Sequence, residues 1–322
     1  MNIGIIGCGL IGAKRALCVA PHRVVAVCDV DEAKASALAE RIGARVERSA
    51  EALQAARDIK VVIIATTHDQ LAGLAADALR AGKHVLVEKP GACRPEELEA
   101  VRDAALRANR VVRFGYNHRF HPALLQARAI VDSGALGPLI FIRGRYGHGG
   151  RIGYEKEWRA NEAKSGGGEA IDQGVHLIDL SRWFLGDFPH VQGYAPTYFW
   201  KMAVEDNAFM LLRTASGQAA FLHATWTEWK NMFSMEIVGR DGKLQVEGLG
   251  GSYGPESLTH YRMLPQMGPP ETQRWEYPGS DDSWRIEFEH FVQAISGGDS
   301  FCSTLDDAQA ALSIAQTVRT FR

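Results

Sequence analysis

The chain has 322 residues, enough at about 150 per domain for two domains and a core that needs no covalent staples. It is 46% hydrophobic and 23% charged, with 36 Lys and Arg against 38 Asp and Glu, a formal charge of -2. That balance excludes disorder and low-complexity sequence, and it gives no overall electrostatic reason to bind nucleic acid or an anionic membrane.

In chain order, the start from Met1 to Gly7 is apolar but short. No basic run precedes it and Lys14-Arg15 follow, so it fits neither a signal peptide nor a membrane span. Residues 2–7, 24–29, 60–65, 84–87 and 111–115 read as short buried strands, with a weaker one near 44–47. Between them, stretches such as 31–42, 68–81 and 95–109 carry helical spacing. Apolar strands alternating with helices predict an α/β Rossmann domain, a doubly wound parallel sheet, over residues 1–118. Of 28 Phe, Tyr and Trp, only Phe114 and Tyr116 lie in that span.

From residue 119 the rhythm changes. Segments 139–146, 191–199, 207–214, 218–227, 233–238 and 243–247 read as strands joined by turns such as Ala215-Ser216-Gly217 and Arg240-Asp241-Gly242. The expectation is an α+β second domain over 119–322 with a large, mainly antiparallel open sheet. One helix is expected over 173–185 and two more over 283–295 and 304–321, the last with the option of packing back on the first domain. Five cysteines with no C-x-x-C spacing leave one unpaired in any scheme, which points to reduced thiols and a soluble, cytoplasmic protein.

Gly7-Cys8-Gly9-Leu10-Ile11-Gly12 closes the first strand and opens a helix. Glycines there permit a tight turn and a close backbone approach to a pyrophosphate, which the helix N-terminus attracts. Asp29, ending the second strand 20 residues beyond Gly9, suits the ribose hydroxyls and repels a 2′-phosphate. The cofactor expected is therefore NAD rather than NADP. Glu88-Lys89-Pro90 ends the fifth strand, where ligands of open α/β sheets bind. Lys89 is expected to face the cofactor crevice and stabilise oxygen charge as hydride departs.

A second constellation is Ser165-Gly166-Gly167-Gly168 followed by Asp172 and His176, four apart and so on one helix face. Asp172 either caps the helix, leaving His176 an interior histidine, or it orients His176 as a general base. Two groups at this spacing fall short of a metal site, as do His118 and His121, and no metal is expected.

Taken together, these residues resemble the Gfo/Idh/MocA family (glucose–fructose oxidoreductase, inositol dehydrogenase, rhizopine catabolism) nearly end to end. The likeness rests on the fingerprint at 7–12, Asp29, Ala65-Thr66, Ala81 to Val85 leading into Glu88-Lys89-Pro90, and Gly115-Tyr116-Asn117-His118-Arg119-Phe120. It continues through Trp158, the glycines at 166–168, Asp172 to His176, and Asp179. The resemblance implies a Lys–Asp–His site mapping onto Lys89, Asp172 and His176, with Thr66 and Glu88 joining Gly7, Gly9, Leu10, Ile11, Gly12, Asp29 and Lys89 around the dinucleotide. It also implies an open sheet that often mediates dimers or tetramers. The chain departs from the pattern at Thr67 and Leu71, where many members carry proline and histidine.

The activity expected is reversible hydride transfer between a secondary alcohol of a sugar-type substrate and nicotinamide, with His176 or Lys89 as base. Arg143 to Arg159 holds five cations against Glu155 and Glu157 and is rich in glycine. It reads either as a flexible clamp for a nucleotide sugar or other anionic sugar, or as a solvated loop. Asn117, Arg151 and Arg159 are the expected substrate contacts. An inositol or polyol dehydrogenase, an NAD-dependent glycoside hydrolase and a non-catalytic dinucleotide sensor are the alternatives; a homodimer or homotetramer is the assembly expected.

Overall fold

The computed structural model describes residues 1–321 as two compact units: Met1–Tyr116 with Trp284–Leu312, and Asn117–Ser283 with the residues from Ser313 on.

In the first unit, strands β1 (Asn2–Ile6), β2 (Arg23–Cys28), β3 (Arg45–Val46), β4 (Val61–Ile64), β5 (His84–Glu88) and β6 (Val112–Gly115) form one sheet in the order 3-2-1-4-5-6, parallel throughout. The expected doubly wound sheet is thus present. Its central strands are apolar on both faces because helices cover both, and Val61–Ile64 is fully buried. The helices are α1 (Leu10–Ala16), α2 (Glu32–Ile42), α3 (Ala50–Ala55), α4 (His68–Arg80) and α5 (Leu98–Ala108). Local chemistry sets their ends. Asp31 and Ser49 cap α2 and α3 by accepting the N–H groups of Lys34 and Ala52, and Gly43, at φ 68°, turns the chain out of α2.

In the second unit, β7 (Leu139–Gly147), β8 (His190–Tyr194), β9 (Asn207–Arg213), β10 (Ala219–Thr225), β11 (Met232–Gly239), β12 (Gly242–Glu247), β13 (Glu256–Arg262) and β14 (Glu271–Tyr277) form a sheet in the order 14-13-12-11-7-10-9-8. Every neighbouring pair is antiparallel except β7 and β10. The helices of the remaining chain are α6 (Pro122–Asp132), α7 (Glu162–Ser165), α8 (Val175–Leu185), α9 (Ser283–Ile295) and α10 (Leu305–Thr320).

Alternation decides the faces of this sheet. Ile142, Gly144 and Tyr146 of β7 are buried, whereas Arg143 and Arg145 are exposed. On the buried face a Cβ on Gly144 would stand 3.2 Å from Leu177, so glycine lets α8 lie close to the strand. On the other face Leu211, Phe221, Arg143, Glu236 and Gln245 form one cross-strand row. The strand expected over 191–199 stops at Tyr194. The N–H groups of Tyr198, Phe199 and Trp200 turn instead to the Asp206 carboxylate at 2.7–2.9 Å, so their aromatic character does not make them a strand.

One buried ion pair bears on the cofactor end. Arg15 of α1 is 1% exposed, and its Nε donates to Glu88 at the end of β5 at 2.7 Å. Its Nη1 donates to Glu287 of α9, and its guanidinium stacks 4.4 Å over Trp284. Burial opposes the cation, but Glu287 and Glu88 more than restore it, raising its pKa. Arg15 therefore ties the helix after the glycine turn to the strand that ends one residue before Lys89. Arg15→Met should lower the unfolding free energy in urea by about 3–5 kcal/mol, since two buried carboxylates lose their cation. A loss below about 1 kcal/mol would give the pair no more weight than a surface bridge.

Candidate active site

The carboxyl ends of β1, β2, β4 and β5 lie along one edge of the parallel sheet, and the residues expected around the dinucleotide gather there. Gly7 has φ +96°, and a Cβ on it would stand 2.4 Å from the carbonyl of Ala65. A Cβ on Gly12 would stand 1.8 Å from the carbonyl of Gly7. Both glycines are thus demanded by packing. Gly9 differs: no atom lies within 4 Å of its built Cβ, and as N-cap of α1 it offers no side-chain acceptor. The first amides of α1 keep an open approach, the cradle a pyrophosphate needs. Leu10 is exposed at its rim and Ile11 half-buried. Asp29 is fixed by two backbone donors, Cys8 N–H at 2.6 Å and Asp31 N–H at 2.8 Å, which aim its carboxylate beside the glycine turn. These residues fit NAD.

The other members of that set differ in kind. Thr66 is half-buried after β4 and its Oγ1 donates to the carbonyl of Thr67. Thr67 stands at the N-cap position of α4, its Oγ1 donating to Asp69 at 2.6 Å rather than capping the helix, and Leu71 is fully buried. Glu88 is inside the protein as the partner of Arg15, whereas Lys89, the next residue, is half-buried at the edge.

In the second unit the triple glycine is a packing device. A Cβ on Gly168 would stand 1.9 Å from the carbonyl of Glu205, and one on Gly167 would strike the Arg319 guanidinium. Arg319 donates to Glu205 at 2.8 Å, to Glu162 at 2.6 Å and to the Gly166 carbonyl at 2.7 Å. From this clamp the chain enters a single π-helical turn, Ala170–Gly174, and continues as α8. Such turns are rare and recur at functional sites. Asp172 lies in the turn and His176 in the first turn of α8; both are buried. Asp172 does not cap the helix. Gly174 is the N-cap, no side chain caps it, and Asp172 Oδ2 accepts from Arg159 Nε at 3.0 Å. That carboxylate is the leading influence raising the pKa of Arg159.

Around His176 stand residues that sequence reasoning did not assign. The His118 ring stacks on it, centroids 3.8 Å apart and planes 23° apart, and Tyr146 meets His118 edge-on at 5.1 Å. Arg119 forks onto Asp179 of α8 at 2.5 and 2.8 Å, pinning the helix. His121 lies 3.0 Å from Glu256, whose carboxylate also accepts the N–H groups of Ala123 and Gly250. The run from Gly115 to Phe120 was the available signal, but it does not say which side chain meets α8.

Of the three expected substrate contacts, Asn117 is buried, donating to Ser283 at 2.8 Å, and Arg151 is exposed and paired with Glu157 at 2.7 Å. Arg159 is held by Asp172. Within the glycine-rich segment, Gly149 and Gly150 lie against the Trp229 and Trp200 indoles. Among the described residues no group of three His, Cys, Asp or Glu side chains gathers to hold a metal, and no helix is long and apolar enough to cross a membrane.

Residues 1–116 match the family model of an oxidoreductase family with an NAD-binding Rossmann fold, and residues 124–245 match that of the GFO/IDH/MocA C-terminal domain. Inositol 2-dehydrogenase 2 of Saccharopolyspora erythraea is 30% identical over 98% of this chain and 91% of its own length. Inositol 2-dehydrogenase of Rhizobium meliloti is 28% identical over 98% and 94%. Among solved structures, a levoglucosan dehydrogenase in complex with NADH and levoglucosan superposes with a TM-score of 0.88 at 24% identity, over 99% of this chain and 96% of that one.

Burial works against the charge of Glu256, but the His121 hydrogen bond and charge, with two backbone donors, hold its carboxyl below the usual range. A depressed pKa gives stability that is present above about pH 4.3, the unfolded value, and is lost as pH falls through the folded one. Glu256→Gln should therefore be less stable than the parent by about 2 kcal/mol at pH 7. The gap should close on acidification below about pH 4.3. A gap constant with pH in thermal melts would remove the carboxylate's charge from the account.

Proposed function

The chain belongs to the Gfo/Idh/MocA oxidoreductases, and from that premise we propose that it interconverts a secondary alcohol and a ketone on a neutral, polyhydroxylated ring such as a cyclitol or sugar, using NAD. When bound, NAD supplies the ring carbon that takes or returns the hydride. The amides at the start of α1 would hold its pyrophosphate, and Asp29 the ribose hydroxyls. His176 takes the hydroxyl proton, a task suited to an imidazole whose ordinary pKa lies near neutrality. Lys89 donates to the oxygen on which charge develops.

Asp172, one turn before His176, is balanced by Arg159 and contributes fixed orientation rather than free charge. This is the observation that carries the reading: a buried imidazole on a pinned helix, beside a turn whose carboxylate already has its cation. Arg151 and Arg159 are each engaged with a carboxylate, which favours an uncharged substrate over a nucleotide sugar.

We further propose that the protein is cytoplasmic and forms a homodimer or homotetramer through the exposed sheet face. Leu211 and Phe221, paired across β9 and β10, are about half exposed there, as a self-complementary interface requires.

A panel of myo-inositol, levoglucosan, glucose and a UDP-sugar, read by nicotinamide absorbance, tests the activity. Turnover of a neutral ring compound is expected; a UDP-sugar turned over far better than all of them would overturn the neutral assignment. His176→Ala should lose about 10²–10⁴-fold in turnover while binding NAD as the parent does. Unchanged turnover would remove His176 from the chemistry. Phe221→Asp should shift the protein to monomer in light scattering after size exclusion; an unchanged mass would place the interface elsewhere.

A further inference from the structure

A histidine ring turns about a soft sp³–sp² bond, so its rotamer alone does not fix the plane in which its nitrogens point. A base that must meet a particular hydroxyl needs that plane set, because a misplacement of about 1 Å costs on the order of 10²-fold in rate. Around His176, the flat contact that does this comes from His118, with centroids 3.8 Å apart and planes 23° apart. His118 is itself held. Its Nδ1 lies 3.3 Å from Asn117 Oδ1, and Asn117 Nδ2 donates to Ser283 Oγ at 2.8 Å. On its other sides stand the edges of Tyr146 at 5.1 Å and His121 at 5.6 Å. Both stacked rings are more than nine-tenths buried.

We propose that His118 is a positioning residue for His176: its ring face fixes the plane of the imidazole that takes the substrate proton. The role rests on the reading of His176 as the base. It asks only for a flat ring at 118, not for an imidazole, and so separates the stack from any proton transfer through His118.

The test uses the full chain and three substitutions. His118→Phe keeps a flat face, His118→Ala removes it, and His118→Leu refills the space without one should the alanine variant fail to fold. The first readout needs no substrate. With histidine labelled at Cε1, the His176 resonance should keep its upfield ring-current shift in His118→Phe and lose it in His118→Ala or His118→Leu. The second is NAD reduction with myo-inositol, or with the member of the panel turned over best. The expected result is a kcat lowered about tenfold or more in the alanine or leucine variant, with KM changed less than about twofold, and recovery to within about threefold in His118→Phe.

An unmoved His176 resonance in His118→Ala, or an equal kcat loss in the phenylalanine and alanine variants, would overturn the proposal. His176→Ala in the same assay separates the two readings. If it turns over normally, the assignment of the base fails; if it is inactive while His118→Ala is not slowed, the positioning role alone fails.

Discussion

Asp172 is buried in the π turn, and Arg159 Nε donates to its carboxylate at 3.0 Å. Carrying a carboxylate out of water costs several kcal/mol unless a cation and hydrogen bonds compensate. The same constraint recurs wherever a functional element must be held. Arg15 sits between Glu88 and Glu287 under the strand that leads to Lys89, Arg119 forks onto Asp179 on the helix of His176, and Arg319 joins Glu205 and Glu162 behind the triple glycine. In each case a planar fork with several donors satisfies groups from different segments of chain, which a lysine point charge does less well. The reacting groups differ from these anchors: the candidate base is an imidazole, whose neutral form tolerates burial.

Glycine is the second device, and its uses are not alike. Gly7 and Gly12 are required because a Cβ would collide with backbone, whereas Gly9 leaves space open at a helix start. Gly168 admits Glu205, and Gly149 and Gly150 admit indole rings. The expectation that the Arg143 to Arg159 segment is glycine-rich for flexibility thus meets a different finding at 149 and 150, where the missing side chains are replaced by packed aromatic ones.

Local chemistry made the first unit legible. Its strands are apolar on both faces, its helices carry caps such as Asp31 and Ser49, and every expected strand and helix there has its counterpart within three residues at each end. In the second unit legibility failed where the pattern depends on distant partners. Strands β13 and β14, Glu256–Arg262 and Glu271–Tyr277, are polar and near the sheet edge, so neither alternation nor apolar content marked them. Tyr198 to Trp200 looked like strand because they are aromatic, yet a single carboxylate takes their amides. The π turn at 170–174 has no local signal. Spacing singled out Asp172 and His176 as candidates, but Arg159 as the partner of the one, and His118 as the neighbour of the other, required the fold. The stacked pair is 58 residues apart in sequence, beyond the reach of any periodicity.

The Arg159–Asp172 pair also bears on what the protein can accept. An anion that reached Arg159 would meet a guanidinium whose Nε already serves Asp172, so part of its charge is offset before the substrate arrives. A neutral polyol asks nothing of that pair. On the proposed reading, a cation that already serves a carboxylate of the buried turn would also disfavour charged relatives of the substrate.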